Sequence, residues 1–286
     1  MTDFSFITTC KGRLQHLQQT LPLLARQENS EVVVVDYGCP QKAGDWVEQH
    51  HPAVKAVRVT DDEGFCIARA RNLGAQASSA PWLIFIDADI RLVGDLPSWL
   101  RPRLAPGTFF RAGATSLDNF GTVVCHRGDF DKVGGYDEIL RGWGMEDNDL
   151  YCRLRASGCK QEIFPGEFLA AIPHGDEART RFSPYKNRWV SHTISSLYLQ
   201  MKYDIARLLP EMSGRETHQK LYEHARRNVL RILRQGEKAD MRVRLPLGRH
   251  PDLPGTSPIW DIERVLVYTL RPRMPGAGNA RSDQAG

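Results

Sequence analysis

The 286-residue chain contains no long apolar run. Its most hydrophobic stretches, VVVV at 32–35 and WLIFI at 82–86, are far shorter than the roughly 20 residues that a membrane-spanning helix needs. The opening residues, MTDFSFITT, lack the basic start and long apolar core of a secretory signal. With 41% hydrophobic and 25% charged residues, the composition is that of an ordinary globular protein. We therefore expect a cytoplasmic chain.

Cysteine pairing motifs are also missing. The six cysteines are widely scattered and include no C-x-x-C pair: Cys10, Cys39, Cys66, Cys125, Cys152 and Cys159. This spacing argues against a disulfide framework or a zinc knot and favours reduced thiols.

Two phosphate-binding motifs are absent as well. No G-x-G-x-x-G follows the first apolar run, and no G-x-x-x-x-G-K-[ST] occurs anywhere in the chain. A dinucleotide fingerprint and a P-loop are therefore both unsupported. Any nucleotide bound by this chain would have to be held through a metal ion and through side chains at strand ends.

Strand and helix patterns alternate four times in the first ninety residues. Strands are predicted at 4–8, 31–36, 54–59 and 82–87, with helices at 14–24, 45–50 and 67–77 between them. Such alternation predicts right-handed βαβ units and therefore an α/β fold, with a mainly parallel sheet flanked by helices. We expect this domain to span residues 1–183.

The remainder of the chain is predicted to be a helical extension over 184–271 and a disordered tail over 272–286. The net charge is +4, and the excess of Lys and Arg lies beyond residue 200. These basic helices are a candidate surface for an anionic membrane face or a partner protein. A solvated helix surface is an equally good interpretation.

Acidic residues follow the fourth predicted strand as Asp87-Ala88-Asp89. In an open parallel sheet, ligands bind at the carboxyl ends of the strands. Alternation aims both carboxylates the same way, so both can approach one Mg²⁺ or Mn²⁺ ion, which would in turn hold a diphosphate. The alternative is a pair of acids that only solubilises the strand end.

A second acidic segment, RGWGMEDNDLYCRL, occupies residues 141–154. Leu150, Tyr151 and Leu154 have helical spacing, so the acids before them would form a first helical turn, where negative charge is favourable. Three acids exceed what capping needs, and the Gly-Trp-Gly before them suggests a backbone shaped around a ligand.

These pieces, in the order FITTCKGR, VVVVDYG, GFCIARARNLGAQAS, WLIFIDADI, KVGGYDE and RGWGMEDNDLYCRL, resemble nucleotide-sugar-dependent glycosyltransferases of the GT-A fold. The pattern is similar to the inverting family 2. Its acidic segment resembles those of β-1,4-galactosyltransferases and bacterial chondroitin-type polymerases. The resemblance covers about residues 3–176.

The resemblance implies a role for particular residues. Asp89 would be a direct metal ligand, Asp87 a partner of metal or ribose, and His174 a further metal ligand, with a structural histidine as the alternative. Asp147 would be the catalytic base, and Glu146 would bond donor or acceptor hydroxyls. The implied nucleotide and donor contacts, with Thr8 added from the end of the first strand, are Thr8, Arg13, Asp36, Arg69, Asn72, Asp87 and Trp143.

The expected activity follows from these roles. A metal would neutralise the diphosphate leaving group, and an ionised Asp147, with an unperturbed pKa of about 3.9, would accept the proton of the attacking hydroxyl. One base without a covalent intermediate implies inversion. Arg141 and Met145 depart from the galactosyltransferase pattern, so the donor sugar cannot be inherited from it.

The sequence therefore predicts a bacterial-type, Mn²⁺- or Mg²⁺-dependent enzyme of polysaccharide biosynthesis. It would move a hexose or N-acetylhexosamine from a UDP-sugar to a hydroxyl of a glycan acceptor, of the surface polysaccharide or lipopolysaccharide type. We do not expect a nucleic acid partner. The alternatives are a sugar nucleotidyltransferase, for which TTCKGR is too short a loop, and a non-catalytic glycan- or nucleotide-binding protein of the same fold.

Overall fold

The computed structural model describes residues 2–113, 117–235, 239–245 and 264–270. The chain divides into two compact units, Met1–Ser196 and Leu197–Gly286. The predicted tail at 272–286 lies outside the described residues.

The first unit alternates strands and helices. Its strands are β1 (Phe4–Cys10), β2 (Ser30–Asp36), β3 (Lys55–Arg58), β4 (Trp82–Phe85), β5 (Ile90–Leu92), β6 (Thr108–Ala112), β7 (Val123–His126), β8 (Lys160–Phe164) and β9 (Leu169–Ala171). Its helices are α1 (Leu14–Ala25), α2 (Ala43–His50), α3 (Ile67–Ala77), α4 (Leu96–Leu100), α5 (Arg127–Lys132), α6 (Glu146–Ala156), α7 (Asp176–Thr180) and the start of α8 (Arg188–Leu208).

Seven strands form one mixed sheet in the order β3-β2-β1-β4-β7-β6-β8. Strands β1 to β4 are parallel neighbours, β7 runs antiparallel to β4 and β6, and β8 is parallel to β6. The predicted α/β fold is confirmed. Because the strand order reverses beside β1, the carboxyl ends of β1 and β4 form the crevice where such sheets bind ligands.

The central strands are buried on both faces. Along β1, Phe4 and Phe6 belong to one apolar cluster with side chains of α1, whereas Ile7 belongs to a second cluster with side chains of α3 and α6. This two-sided burial explains the nearly continuous apolar runs in the sequence.

A two-stranded ribbon stands beside the main sheet. Strand β5 pairs antiparallel with β9, with Ile90 opposite Ala171. The amide of Ile172 then donates to the carbonyl of Asp89 at 2.8 Å. The ribbon therefore holds the residue before β5 close to the residues that follow β9.

The second unit contains the rest of α8, the helix α9 (Arg215–Gln235) and two strands, β10 (Ala239–Leu245) and β11 (Arg264–Leu270), paired antiparallel. The predicted helical extension over 184–271 fits α8 and α9, and its range also contains these two strands, of which β11, RVLVYTL, is rich in β-branched residues. The two units divide within α8. Among the described residues, no helix combines the length and apolarity needed to cross a membrane.

Candidate active site

A cavity of about 490 Å³ opens at the carboxyl ends of β1 and β4. Loops after both strands line it, together with the start of α6 and the segment that leads into α8. The acids in its wall are Asp87, Asp89, Glu146 and Asp147, and the cations are Lys11, Arg13, Arg179 and Arg188. The two acidic segments singled out in the sequence therefore meet in one cavity.

The Arg71 side chain joins these two acidic segments. Its guanidinium is buried and donates to Asp147 Oδ1 at 2.6 Å and to Asp87 Oδ1 at 2.9 Å. It also lies 5.0 Å from the centre of the Tyr136 ring. Burial opposes the cation, but the neighbouring carboxylates outweigh it, so the pKa of Arg71 lies above its usual value. Arg71 is therefore a fixed positive charge between the two acids.

Asp147 and Glu146 begin α6 and are both buried. Burial raises the pKa of Asp147, and the charge of Arg71 opposes that rise. Burial and then the charge of Asp147 raise the pKa of Glu146 to about 8. The pair therefore carries its negative charge on Asp147, beside Arg71, and its proton on Glu146 at neutral pH.

Gly121 closes this cluster from one side. A methyl group at this position would lie 3.1 Å from Arg71 Nη2, 3.1 Å from Asp147 Oδ2 and 3.4 Å from an oxygen of Asp87. The glycine therefore lets the backbone approach the charged groups more closely than a side chain would allow.

Asp89 and His174 form a second polar pair, assembled by the β5–β9 ribbon. Asp89 Oδ2 lies 2.6 Å from His174 Nε2, and both side chains are about nine-tenths buried. Arg13 donates to the same carboxylate oxygen and lies 2.9 Å from His174 Nε2. Burial disfavours the Asp89 anion, yet the hydrogen bond from His174 and the charge of Arg13 prevail and lower its pKa.

This pair fits a divalent cation. A carboxylate oxygen suits Mn²⁺ and Mg²⁺, an imidazole nitrogen suits transition metals, and such ions commonly take their remaining ligands from water and substrate phosphates. Asp87 is not drawn into the pair, because its carboxylate is held by Arg71. In the described part of the chain, no group of three or more His, Cys, Asp or Glu side chains could hold a metal. Of the three predicted metal ligands, Asp89 and His174 therefore lie together, whereas Asp87 lies apart from them beside Arg71.

The loop before α6 has an unusual backbone. Gly142 and Gly144 have φ of 93° and 91°, and Met145, which precedes the first helical residue, has φ of 81°. A methyl group on Gly142 would lie 2.2 Å from Ser191 Oγ, which accepts a hydrogen bond from the Trp143 amide at 2.7 Å. Trp143, a predicted donor contact, lines the cavity.

Four predicted donor contacts lie elsewhere in the unit. Both carboxylate oxygens of Asp36 accept backbone N–H groups, from Cys39 and Gly44, at 2.7 Å each. Thr8 faces the Phe6 side of the sheet and is buried, whereas its neighbour Thr9 lines the cavity.

The R-x-x-N stretch on α3 also differs from expectation. Arg69 forms an ion pair with Asp61 at 2.7 Å, outside the cavity wall. Asn72 exchanges two hydrogen bonds with the backbone of Tyr136, at 2.8 and 2.9 Å. Arg71, which the sequence analysis passed over, is the arginine that reaches the acids. Its position three residues after Ala68 and four before Ala75, both buried, is a helical spacing that predicts a buried side chain at Arg71 but not the acids that it contacts.

Two family models match the chain in sequence order. The model described as glycosyl transferase family 2 matches residues 5–101, and the model described as the N-terminal domain of galactosyltransferase matches residues 113–175. Both ranges fall within the first unit, and they contain every acid of the cavity. The predicted resemblance to family 2-like glycosyltransferases of the GT-A fold is therefore confirmed.

Curated relatives of this chain include two validoxylamine A glucosyltransferases. The one from Streptomyces hygroscopicus subsp. jinggangensis is 27% identical, over 59% of this chain and 55% of the relative. The one from Streptomyces hygroscopicus subsp. limoneus is 28% identical, over 55% and 49% respectively. The chain therefore spans about half the length of the curated relatives it matches.

Solved structures share the fold of this chain. The mannosyltransferase PcManGT from Pyrobaculum calidifontis, in complex with GDP-Man and Mn²⁺, superposes with a TM-score of 0.52 at 16% identity, covering 82% of this chain and 74% of that one. S. aureus TarS 1–349, in complex with UDP-GlcNAc, superposes with a TM-score of 0.55 at 15% identity, covering 80% and 71%. At these identities the two structures show a shared fold and no more.

Proposed function

We propose that the chain is a metal-dependent, inverting glycosyltransferase that moves a hexose or N-acetylhexosamine from a UDP-sugar to a hydroxyl of a glycan acceptor. The main support is the placement of a buried carboxylate, Asp147, against the buried cation of Arg71 in the same cavity as the Asp89–His174 pair. A binding protein of this fold has no use for a buried base. The nucleotide sugars bound to the related structures support the donor class.

Asp89 and His174 would hold the divalent cation of this enzyme. The chemistry that such a cation would supply is neutralisation of the negative charge on the leaving diphosphate. Arg13 already supplies one positive charge at the same oxygen of Asp89. We therefore place the diphosphate of the donor beside these three residues, at the carboxyl ends of β1 and β4.

Asp147 would act as the base in a single displacement. The acceptor oxygen forms a bond to the anomeric carbon, the bond from that carbon to the diphosphate breaks, and the acceptor proton passes to a carboxylate oxygen of Asp147. Because the acceptor attacks the face opposite to the leaving group, the anomeric centre inverts. A pKa raised by burial makes Asp147 a stronger base than a solvated carboxylate.

Arg71 and Glu146 would prepare this step. Arg71 orients Asp147 through its hydrogen bond to Oδ1, which leaves Oδ2, the oxygen nearest Gly121, for the acceptor hydroxyl. Glu146 is protonated at neutral pH and can donate a hydrogen bond to a sugar hydroxyl without repelling the base.

Calorimetric titration of the purified chain with UDP and with GDP, each with and without Mn²⁺, tests the donor assignment. We expect UDP to bind at least tenfold more tightly with Mn²⁺ than without it. Binding of GDP in preference to UDP would overturn the uridine assignment, and UDP binding that is indifferent to Mn²⁺ would overturn the cation site.

The variant Asp147→Asn tests the base. Loss of a general base typically lowers the rate by about 10²- to 10⁴-fold, so we expect kcat to fall by at least about 100-fold while UDP affinity changes by less than about threefold. Asp45→Asn, which removes an exposed carboxylate on α2, is the matched control and should keep wild-type kcat. Near wild-type transfer by the Asp147 variant would refute the assignment.

A further inference from the structure

Trp143 and two aromatic side chains beyond the ranges that the family models match form a cluster in the cavity wall. Trp189 and His192 lie on the first turns of α8, after residue 175, where the second match ends. Their rings lie 5.9 Å apart, and those of Trp143 and Trp189 lie 6.2 Å apart at an interplanar angle of 80°. All three residues are part of the cavity wall.

This aromatic cluster is held rigidly against the acidic loop. Ser191 is fully buried, and its Oγ accepts the hydrogen bond from the Trp143 amide. The guanidinium of Arg188 lies 5.2 Å from the Trp143 ring and 4.8 Å from the Trp189 ring, within the range of favourable cation–π contacts. The two indoles are therefore oriented before any ligand arrives.

Trp189 is nevertheless 57% exposed, whereas Trp82 in the core is only 6% exposed. A large apolar ring left in contact with water gains little of the free energy that burial gives an indole. A preorganised, half-exposed ring in a cavity wall therefore has the form of a ligand platform rather than of a packing residue.

We propose that Trp189, with Trp143 and His192, binds the acceptor as a six-membered polyhydroxylated ring that stacks one face of C–H groups on the indole. This inference rests on the proposed function. The negatively charged face of an aromatic ring attracts the slightly positive C–H groups of a pyranose. Trp143 precedes the candidate base, Asp147, by only four residues, so a ring stacked on this cluster places its hydroxyls close to that base.

The donor nucleotide fits this platform less well. Its diphosphate is assigned to Asp89, His174 and Arg13, which the strands β1, β5 and β9 position, whereas the aromatic cluster belongs to α8 and to the loop before α6. The platform therefore serves the other substrate of the reaction, and Trp143, which the resemblance placed among the donor contacts, is assigned here to the acceptor.

The test is saccharide binding to the full chain in the presence of UDP and Mn²⁺, measured by ligand-observed NMR. The probes are methyl β-D-glucopyranoside, methyl β-D-galactopyranoside and methyl α-D-mannopyranoside, with D-glucitol as an acyclic polyol that cannot stack. We expect at least one pyranoside to bind the wild type at least tenfold more tightly than D-glucitol.

Trp189→Ala should weaken that pyranoside about tenfold or more, which corresponds to about 1.4 kcal/mol. Trp189→Phe should keep it within about threefold of the wild type, and Trp46→Ala, on α2 outside the cavity, should leave it unchanged. UDP affinity should be the same in all four proteins, which also shows that the variants are folded.

Each failure has a distinct meaning. If no pyranoside binds better than D-glucitol, or if Trp189→Ala binds it as the wild type does, the platform is refuted while UDP binding still supports the proposed function. If Trp189→Ala loses UDP affinity instead, the ring stacks on the nucleotide and the acceptor assignment is wrong. If UDP does not bind the wild type, the proposed function fails, whatever the saccharide data show.

Discussion

Replacing Glu146 by glutamine probes the electrostatics of the cavity, because Gln keeps the shape of the side chain and removes its ionisation. In the folded chain the Glu146 carboxyl has a pKa of about 8, against an ordinary value of 4.5. The causes are burial first and then the neighbouring Asp147 carboxylate. The folded state therefore binds more protons than the unfolded state between these two pH values.

The sign and size of the effect follow from this difference. When the folded state binds one more proton, the free energy of unfolding falls by about 1.4 kcal/mol for each pH unit gained. From pH 5 to pH 8 the wild type should lose up to about 4 kcal/mol through this carboxyl. The stabilising contribution is complete below pH 4.5 and is lost as the pH rises through 8.

Urea unfolding at pH 5, 6, 7 and 8 measures this loss. We expect the Glu146→Gln variant to lose several kcal/mol less than the wild type over this range. The control Glu48→Gln, which changes an exposed carboxyl on α2, should follow the wild-type profile. Parallel profiles for the wild type and Glu146→Gln would show that Glu146 ionises like a solvated carboxyl, and the assigned proton would be wrong.

Three further substitutions test the packing of the site. Arg71→Met leaves the candidate base buried without its main counter-charge, so we expect urea unfolding to show that the free energy of unfolding falls by about 3–5 kcal/mol. The control Arg58→Met, which removes an exposed ion pair, should change the free energy of unfolding little. Gly121→Ala puts a methyl group 3.1 Å from Arg71 and the candidate base, so kcat should fall at least about tenfold with a modest drop in Tm. Gly214→Ala, where the added methyl group would meet no atom within 4 Å, is its control. Wild-type kcat in Gly121→Ala would refute the crowding. Asn72→Ala removes two buried hydrogen bonds to the Tyr136 backbone, so the free energy of unfolding should fall by about 2 kcal/mol. The KM for the donor should stay within about threefold of the wild-type value. A large rise in this KM would restore the donor-binding role of Asn72.

The sheet and the acidic segments could be predicted from sequence because their signals are local. Alternation over ninety residues predicts the parallel strands, and the acids before Leu150 predict the start of α6. For Thr8 and Thr9, the sequence does not predict which side chain faces the cavity. Since β1 is buried on both faces, its apolar pattern does not distinguish the residue that faces the cavity from the one that faces the core.

The charge network could not be predicted, because its partners come from distant segments. Arg71 contacts Asp147, which lies 76 residues later in the chain, and no spacing within α3 predicts that contact. Asp36 follows a buried strand just as Asp87 does, yet nearby backbone amides occupy both of its carboxylate oxygens. An acid at a strand end is therefore only a candidate until its hydrogen-bond partners are known.

The β5–β9 ribbon has a consequence for the order in which the site is built. Asp89 and His174 are separated by 85 positions in the chain, and the closure of such a long loop comes late and costs conformational entropy. During synthesis the parallel half of the sheet can emerge with Arg71, Asp87 and Asp89 already present. The pair that would hold a cation is completed only after β9 has been made. A nascent chain that ends before residue 174 therefore lacks one half of the pair that would hold the cation.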